Sequence, residues 1–128
     1  HFKTAVIFFD IDHFKKVNDT YGHDVGDSVL HNVALLLKKH TRDDDKIIRW
    51  GGEEFIIIAG IDKNEYLFQI AEKLRSIIQE NRFDDVSSIT CSFGCQIHDD
   101  ELEILETVKK ADRKLYIAKA AGRNRVEC

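Results

Sequence analysis

The pattern of hydrophobic and polar positions changes along the first third of the chain, from a continuous apolar run to helical spacing. It predicts a strand followed by helices. Residues 4–9 (TAVIFF) form a continuous apolar run, which is typical of a strand buried on both faces. A short helical stretch is predicted around Phe14 to Asn18, ending at Tyr21-Gly22. From Asp24 to His40 apolar residues recur at helical spacing, which indicates an amphipathic helix.

The middle of the chain predicts a hairpin and a further helix. Two apolar runs, Lys46 to Trp50 and Phe55 to Ala59, flank Gly51-Gly52. A glycine pair between strand patterns favours a hairpin, because tight hairpin turns need a positive φ. The segment Asp62 to Glu65 is interpreted as a capping box that opens a helix. The inner face of this helix is expected to carry Leu67, Ile70, Ala71, Leu74, Ile77 and Ile78.

The last third predicts one more strand and one more helix. Ser88 to Ile97 has the pattern of a strand. A helix is expected from Asp100 to a C-terminal cap at Gly122, since Gly at this position relieves backbone strain. Its apolar stripe would be Leu105, Val108, Ala111 and Leu115. Arg125 to Glu127 could add an edge strand.

The predicted order is therefore β-α-α-β-β-α-β-α, with an optional closing strand. A hairpin inside an otherwise alternating chain implies a mixed central sheet flanked by helices, an α/β (α+β) class. No linker, repeat or composition shift divides residues 1–128, so a single domain is expected.

Composition restricts the possible functions. The 128 residues are 43% hydrophobic and 33% charged, as in ordinary globular domains. No run of about 18 apolar residues and no leader pattern occurs, so we expect a cytoplasmic segment without membrane contact, although a parent protein could be membrane-anchored. The net charge of -4 argues against a general nucleic-acid binder but permits a small anionic ligand. Cys91, Cys95 and Cys128 are interpreted as thiols of a reducing compartment rather than redox or metal groups.

Two acidic pairs lie at the ends of predicted strands. Asp10 and Asp12 end the first strand, and Glu53 and Glu54 follow the hairpin glycines. If the hairpin flanks the first strand, four carboxylates meet at one sheet edge and repel one another unless a cation lies between them. Such oxygen ligands suit Mg²⁺ better than zinc. The alternative is that Asp12 caps the next helix and the glutamates are solvated.

Anion-binding groups are predicted near the acidic pairs. His13 and Phe14 would present free amides at a helix start, where anions bind well, and Lys15 follows them. Lys119 and Arg123 flank Gly122 past the last helix, although either cation alone could equally serve as a helix-dipole partner. Together these groups are typical of a nucleoside triphosphate site.

Three separated motifs resemble one family, the GGDEF diguanylate cyclases. Gly51 to Phe55 (GGEEF) matches its signature, Phe8 to Asp27 (FFDIDHFKKVNDTYGHDVGD) its first metal and substrate segment, and Ala111 to Val126 (ADRKLYIAKAAGRNRV) its C-terminal motif. The resemblance implies a fold like the nucleotide cyclase or polymerase palm. It also implies that two GTP are joined into cyclic di-GMP, releasing two pyrophosphates.

The resemblance implies roles for individual residues. Asp10 and Glu53, assisted by the Ile11 carbonyl, would bind two Mg²⁺ (Mn²⁺ is possible), and Glu54 would bind metal or handle the attacking hydroxyl. Asn18 and Asp27 would read the guanine edge, since a carboxylate accepts from guanine donors that adenine lacks. The phosphates would be held by His13, Phe14, Lys15, Lys119 and Arg123, with Lys15, Glu53 and Glu54 counted as catalytic.

The implied reaction is a two-metal attack of a ribose 3′-hydroxyl on an α-phosphate. Because each family domain holds one GTP, two chains must face each other as a symmetric homodimer. The family normally has an upstream lead-in segment, which this chain is expected to lack, and an upstream sensory domain.

An inhibitory site is implied as well. Arg42 and Asp45 form an RxxD motif, with five residues between Asp45 and Gly51. At this spacing the family binds cyclic di-GMP as an inhibitor. Lys73 occupies the place of an arginine that completes the pocket, and it provides neither the fork nor the stacking plane of arginine. Arg75 is a possible substitute.

Three alternative functions remain. A GGDEF-like domain could sense GTP or cyclic di-GMP without turnover, but such domains usually lose the signature. A related cyclase or polymerase palm would carry a different base-reading residue than Asp27. A purely structural interaction domain would have to tolerate four clustered acids.

Overall fold

The computed structural model describes residues 2–128, and these contain five strands and four helices in the predicted order. The closing strand is present. The elements are β1 (Lys3–Ile11), α1 (Phe14–Tyr21), α2 (His23–His40), β2 (Lys46–Arg49), β3 (Glu54–Ile61), α3 (Glu65–Glu80), β4 (Cys91–Ile97), α4 (Ile104–Ala120) and β5 (Val126–Glu127).

The five strands form one mixed sheet in the order β2-β3-β1-β4-β5. Neighbouring strands are antiparallel except β5, which runs parallel to β4. The predicted hairpin is β2–β3, and β3 is the strand that pairs with β1. The hairpin tip therefore reaches the end of the central strand.

β1 is buried on both faces, as its apolar run predicts. Ala5, Ile7 and Phe9 face the larger core, which α1, α2 and α3 complete. Val6 and Phe8 face a smaller core that α4 covers. Because side chains alternate along a strand, Asp10 lies on the same side as Val6 and Phe8 and points towards α4.

Gly94 allows α4 to pack closely on the sheet. A Cβ atom at this position would lie 2.2 Å from the Ala111 carbonyl oxygen and 2.3 Å from the Leu115 nitrogen. Both neighbours are helix backbone, so neither can move away without shifting α4. The close approach brings the C-terminal end of α4 towards the end of β1.

One predicted boundary was confirmed, and two were wrong. α1 ends at Tyr21 before Gly22, whose φ is 95°, so the predicted break at Tyr21-Gly22 is confirmed. α4 begins at Ile104 rather than Asp100, because Asp99 forms a separate turn in which its side chain accepts from Glu101 N (3.0 Å). β4 begins at Cys91 rather than Ser88. Leu105, assigned to the buried stripe of α4, is 52% exposed.

Two reasons given for correct elements were also wrong. The helix after residue 62 has Asn64 as its N-cap with no side-chain capping bond, so the capping box does not form. The hairpin glycines do not have a positive φ; in residues 2–128 the glycines that do are Gly22 and Gly122. A Cβ at Gly51 would lie 2.6 Å from Glu54 Oε1, so a larger residue there would displace the end of the Glu54 side chain.

Candidate functional site

The site begins where β1 ends at Asp10. Asp10 lies opposite Glu54 of β3 and Ser92 of β4 in the sheet register, and it is only 4% exposed. Its Oδ2 atom contacts Nζ of Lys119 on α4. Its Oδ1 atom is buried and has no hydrogen-bond partner among residues 2–128.

Burial raises the pKa of Asp10 to about 6, and the hydrogen bond and charge of Lys119 oppose this rise only in part. The negative charges of Asp12 and Glu53 contribute to the same rise. A buried carboxylate oxygen without a partner is costly, and a hard cation would satisfy it. The donor set at Asp10 therefore fits Mg²⁺ or Mn²⁺.

Glu53 lies against β1 through its backbone. Its carbonyl oxygen accepts from Ile11 N at 3.3 Å, which joins the hairpin loop to the end of the central strand. The Glu54 carboxylate lies beside Gly51. The structure thus brings the backbones of Asp10, Ile11, Glu53 and Glu54 together at one end of the sheet.

Arg49 shapes the hairpin loop and was not predicted as a site residue. Its guanidinium donates to the Gly51 carbonyl at 3.3 Å and to the Gly52 carbonyl at 2.7 and 3.2 Å. The loop is also closed by Trp50 N, which donates to the Glu54 carbonyl at 2.8 Å. An arginine just before a glycine turn was the available signal, since it can reach the carbonyls of the turn.

Asp12 contradicts both interpretations made from the sequence. It does not cap α1, whose N-cap is His13 without a side-chain bond. Its charge acts on Asp10, but its carboxylate is already occupied as an acceptor from Ser92 Oγ (2.6 Å), Thr90 Oγ1 (2.7 Å) and Asn124 N (3.0 Å). The predicted cluster of four carboxylates does not form. Within the described part of the chain, no three acidic, histidine or cysteine side chains are grouped as metal ligands.

The predicted phosphate-binding groups lie on two segments that meet at this edge. His13 has a left-handed φ of 56° and precedes α1, where helix geometry leaves its first amides without acceptors. Lys15 is exposed in the first turn of α1. After α4, the positive φ of Gly122 (124°) and Arg123 (64°) turns the chain back so that Asn124 bonds to Asp12.

The two residues predicted to read guanine lie on neighbouring helices. Asn18 of α1 packs against α2, since a Cβ at Gly26 would lie 1.8 Å from Asn18 Oδ1. Asp27 follows Gly26 and lines a cavity of about 510 Å³ beside the hairpin. Other residues lining this cavity include Leu30, His31, Arg49 and Phe55.

The three residues of the predicted inhibitory site line one cavity of about 370 Å³ on the opposite end of the hairpin strands: Arg42, Asp45 and Lys73. Asp45 Oδ2 accepts from Arg42 N at 3.0 Å, which fixes the loop between α2 and β2. The motif is therefore an ordered turn rather than a free charged loop.

Arg75 does not substitute for Lys73, contrary to the alternative raised from the sequence. Its guanidinium binds both carboxylate oxygens of Glu72, at 2.7 and 2.6 Å, and also Gln79 and Asn124 Oδ1. It does not line the cavity of Arg42 and Asp45. Its contact with Asn124 instead supports the turn that follows α4.

None of the helices in residues 2–128 has the length and apolar content needed to cross a bilayer.

Known proteins share this sequence and fold. The family model described as "Diguanylate cyclase, GGDEF domain" matches residues 1–125. Diguanylate cyclase A of Treponema denticola is 39% identical over 126 residues, covering 95% of this chain and 34% of the relative. The chain thus spans about a third of the length of that curated relative.

Two solved structures superpose closely. The active GGEEF domain of a diguanylate cyclase from Vibrio cholerae gives a TM-score of 0.89 at 36% identity, covering 97% of this chain and 81% of that one. The GGDEF domain of DgcB from Caulobacter crescentus, in complex with c-di-GMP, gives a TM-score of 0.90 at 30% identity. That match covers 98% of this chain and 77% of the DgcB chain.

Proposed function

The chain belongs to the GGDEF family of diguanylate cyclase domains, and on that basis we propose that it condenses two GTP into cyclic di-GMP, releasing two pyrophosphates. Its fold is the cyclase palm that the resemblance implied. Cyclases of this kind are nucleotidyltransferases. The observation that carries the proposal is the buried, unpartnered oxygen of Asp10 beside the Glu53 hairpin.

The metal-binding role is assigned to Asp10 and Glu53, with the Ile11 carbonyl and Glu54 assisting. Two bound Mg²⁺, or Mn²⁺, would lower the pKa of the attacking 3′-hydroxyl and stabilise charge on the α-phosphate. The burial of Asp10 supports this role, because an oxygen excluded from water gains most from a cation.

The phosphates are assigned to the amides of His13 and Phe14 and to the cations Lys15 and Arg123. These groups lie at the start of α1 and in the turn after α4, and the hydrogen bond from Asn124 to Asp12 joins these two segments. Together the two segments could surround a triphosphate. Lys119 is the remaining cation, and its ammonium now neutralises Asp10. We assign Lys119 to phosphate binding once a metal ion has replaced its ammonium at Asp10.

Guanine recognition is assigned to Asp27 and Asn18. A carboxylate accepts from the N1 and N2 donors of guanine, and an amide can pair with its acceptors. The cavity that Asp27 lines is next to the hairpin, which supports placing the base there. Adenine would leave the carboxylate without donors.

Turnover requires a homodimer in this proposal, because one domain holds one GTP and each hydroxyl must reach the other phosphate. Control of that pairing is assigned to the upstream sensory domain that the family resemblance implies. Product inhibition is assigned to Arg42, Asp45 and Lys73. The cyclic di-GMP complex of DgcB supports a ligand of this kind for the family.

The test is product formation from GTP and Mg²⁺, followed by mass spectrometry. The native chain should form cyclic di-GMP at a rate that rises with the square of the protein concentration, as a dimer requires. Glu53→Gln should form none, whereas the matched surface variant Glu65→Gln, in the exposed first turn of α3, should match the native chain.

Absence of product from the folded native chain at high concentration, with GTP binding retained, would instead support a non-catalytic GTP sensor. Equal product from Glu53→Gln would overturn the metal assignment.

A further inference from the structure

Two cysteines occupy neighbouring positions at the β4–β5 edge of the sheet. β5 runs parallel to β4, with Phe93 beside Val126 and Gly94 beside Glu127. The next step in this register places Cys95 beside Cys128. Adjacent strands lie about 4.8 Å apart, within the Cα separation that a disulfide spans.

The same register directs both thiols to one face. Residues two apart on a strand point to the same side, so Cys95 points with Phe93 and Cys128 with Val126. Cys95 is fully buried, whereas Cys128 lies just past β5 and is exposed. Because Cys128 is outside the paired residues, its backbone can adjust to the geometry of a bond.

The two thiols also differ in reactivity. Interaction with the Cys95 thiol lowers the pKa of Cys128, and the nearby Lys114 ammonium lowers it too. Interaction with Cys128 and burial raise the pKa of Cys95 well above its ordinary value. Because Cys128 is exposed and Cys95 is buried, a solvent oxidant reaches Cys128 first, which is the arrangement of an attacking and a resolving cysteine.

We propose that Cys95 and Cys128 form a reversible disulfide when the protein meets a peroxide. The Cys128 thiolate attacks hydrogen peroxide, so that an S–O bond forms, the O–O bond breaks and hydroxide leaves. The Cys95 sulfur then attacks the resulting sulfenic acid; the S–S bond forms, the S–O bond breaks, and its proton leaves with the oxygen as water. Two electrons pass from the thiols to the peroxide, and a dithiol reverses the reaction.

The bond would fasten β5 to the sheet. Only two residues of β5 pair with β4, and Phe93 N donates to the Arg125 carbonyl (2.9 Å) just before them. Such a short edge strand opens easily. A disulfide after its last paired residue would hold the strand and the preceding Arg123–Asn124 turn in place. This inference departs from the interpretation of the cysteines as inert thiols, and it leaves Cys91 as one.

The experiment treats the folded chain with hydrogen peroxide, alkylates the remaining thiols and measures the intact mass and the proteolytic peptides. All three cysteines are free before treatment. After oxidation we expect one alkylated cysteine, Cys91, and a linked peptide pair containing Cys95 and Cys128. A dithiol should restore three alkylation sites.

Cysteine variants separate the outcomes. Cys91→Ser should form the same linked pair, whereas Cys95→Ser should leave Cys128 as a sulfenic acid that a dimedone probe captures. Hydrogen exchange should show the Val126 amide exchanging several-fold more slowly in the oxidised native chain. Three free thiols at a peroxide level that oxidises free cysteine, a Cys91–Cys95 link, or only disulfide-joined dimers would each overturn the proposal.

Discussion

The ammonium of Lys119 contacts the carboxylate of Asp10, although the two residues belong to the last helix and the first strand. The contact supplies Asp10 with a positive charge in a place where water is excluded. It satisfies one carboxylate oxygen and leaves the other without a partner. Lys119 is thus the counter-ion of the proposed metal ligand Asp10, and a metal ion must compete with its ammonium for the Asp10 carboxylate.

Removing this counter-ion should strengthen metal binding. In Lys119→Ala, Mn²⁺ no longer displaces an ammonium, so the dissociation constant measured without nucleotide by electron paramagnetic resonance should fall by up to about tenfold. Affinity for GTP should weaken in the same variant, because a phosphate contact is lost. Lys109→Ala is the control, since Lys109 pairs with Glu106 at the surface of the same helix (3.5 Å). Weaker Mn²⁺ binding in Lys119→Ala would contradict the counter-ion role.

The raised pKa of Asp10 predicts a pH-dependent stability of the metal-free protein. Burial raises this pKa from 3.8 to about 6, so the stability that the group contributes is complete below about pH 4 and is lost as the pH rises through about 6. With EDTA present, Asp10→Asn should melt at least about 3 °C above the native chain at about pH 8. The difference should shrink towards about pH 5.

The control for this experiment is Asp19→Asn, an exposed carboxyl on α1. Its melting temperature should follow that of the native chain at every pH. A pH-independent gain in Asp10→Asn would show that ionisation of Asp10 is not the cause.

Asp12 should be important for stability. Asp12→Ala leaves two hydroxyls and a backbone amide without their acceptor, and it should lower the free energy of unfolding by about 3 kcal/mol in urea titrations. Ser92→Ala alone should cost less, and the double variant should cost less than the sum, because both changes remove the same bond. An additive result would argue that the Ser92–Asp12 bond contributes nothing.

Gly94→Ala should be the more damaging of two glycine substitutions. The new methyl group would overlap the backbone of α4, so we expect a loss of more than about 2 kcal/mol in the free energy of unfolding. Gly52→Ala is matched to it, since a Cβ at Gly52 has no atom within 4 Å, and its unfolding free energy should stay within about 1 kcal/mol of the native value. Similar losses in both variants would contradict the close helix contact.

Product inhibition should depend on the cavity of Arg42, Asp45 and Lys73. Arg42→Ala should allow cyclic di-GMP to accumulate beyond the level at which the native chain stops. Lys73→Arg should lower that level, because arginine adds the planar fork that lysine lacks. Arg82→Ala, an exposed arginine after α3, serves as the control. If cyclic di-GMP stopped accumulating at the same level in the native chain and in all three variants, an inhibitory site in this cavity would be excluded.

The order of elements was predictable because each one carries a strong local pattern. β1 is apolar without interruption, α2 and α3 have regular apolar stripes, and the glycine pair separates two strands. Asp10 and Glu53 were predicted as site residues because acids at strand ends have few structural roles, and this assignment stays a prediction. The pairing of β3 rather than β2 with β1 could not be read from any of these local patterns.

Contacts between distant segments could not be predicted. Nothing near Asp12 in the sequence indicates that Thr90, Ser92 and Asn124 supply its hydrogen bonds, and the helix-cap interpretation was locally reasonable. Arg75 likewise resembled a pocket residue by spacing, whereas its position on α3 directs it towards Glu72 and Asn124. The start of α4 was misplaced because Asp99 forms its own turn, which polar composition alone does not distinguish from a first helical turn.

The bond from Asn124 to Asp12 spans 112 positions of sequence and has a consequence for synthesis on the ribosome. Strands and helices of the first hundred residues can assemble as they emerge and already supply the Thr90 and Ser92 hydroxyls to the Asp12 carboxylate, whereas its third donor, Asn124 N, follows only after α4. Contacts of such long sequence separation form late. A nascent chain would therefore hold most of its core before the turn after α4 is fastened to the end of β1.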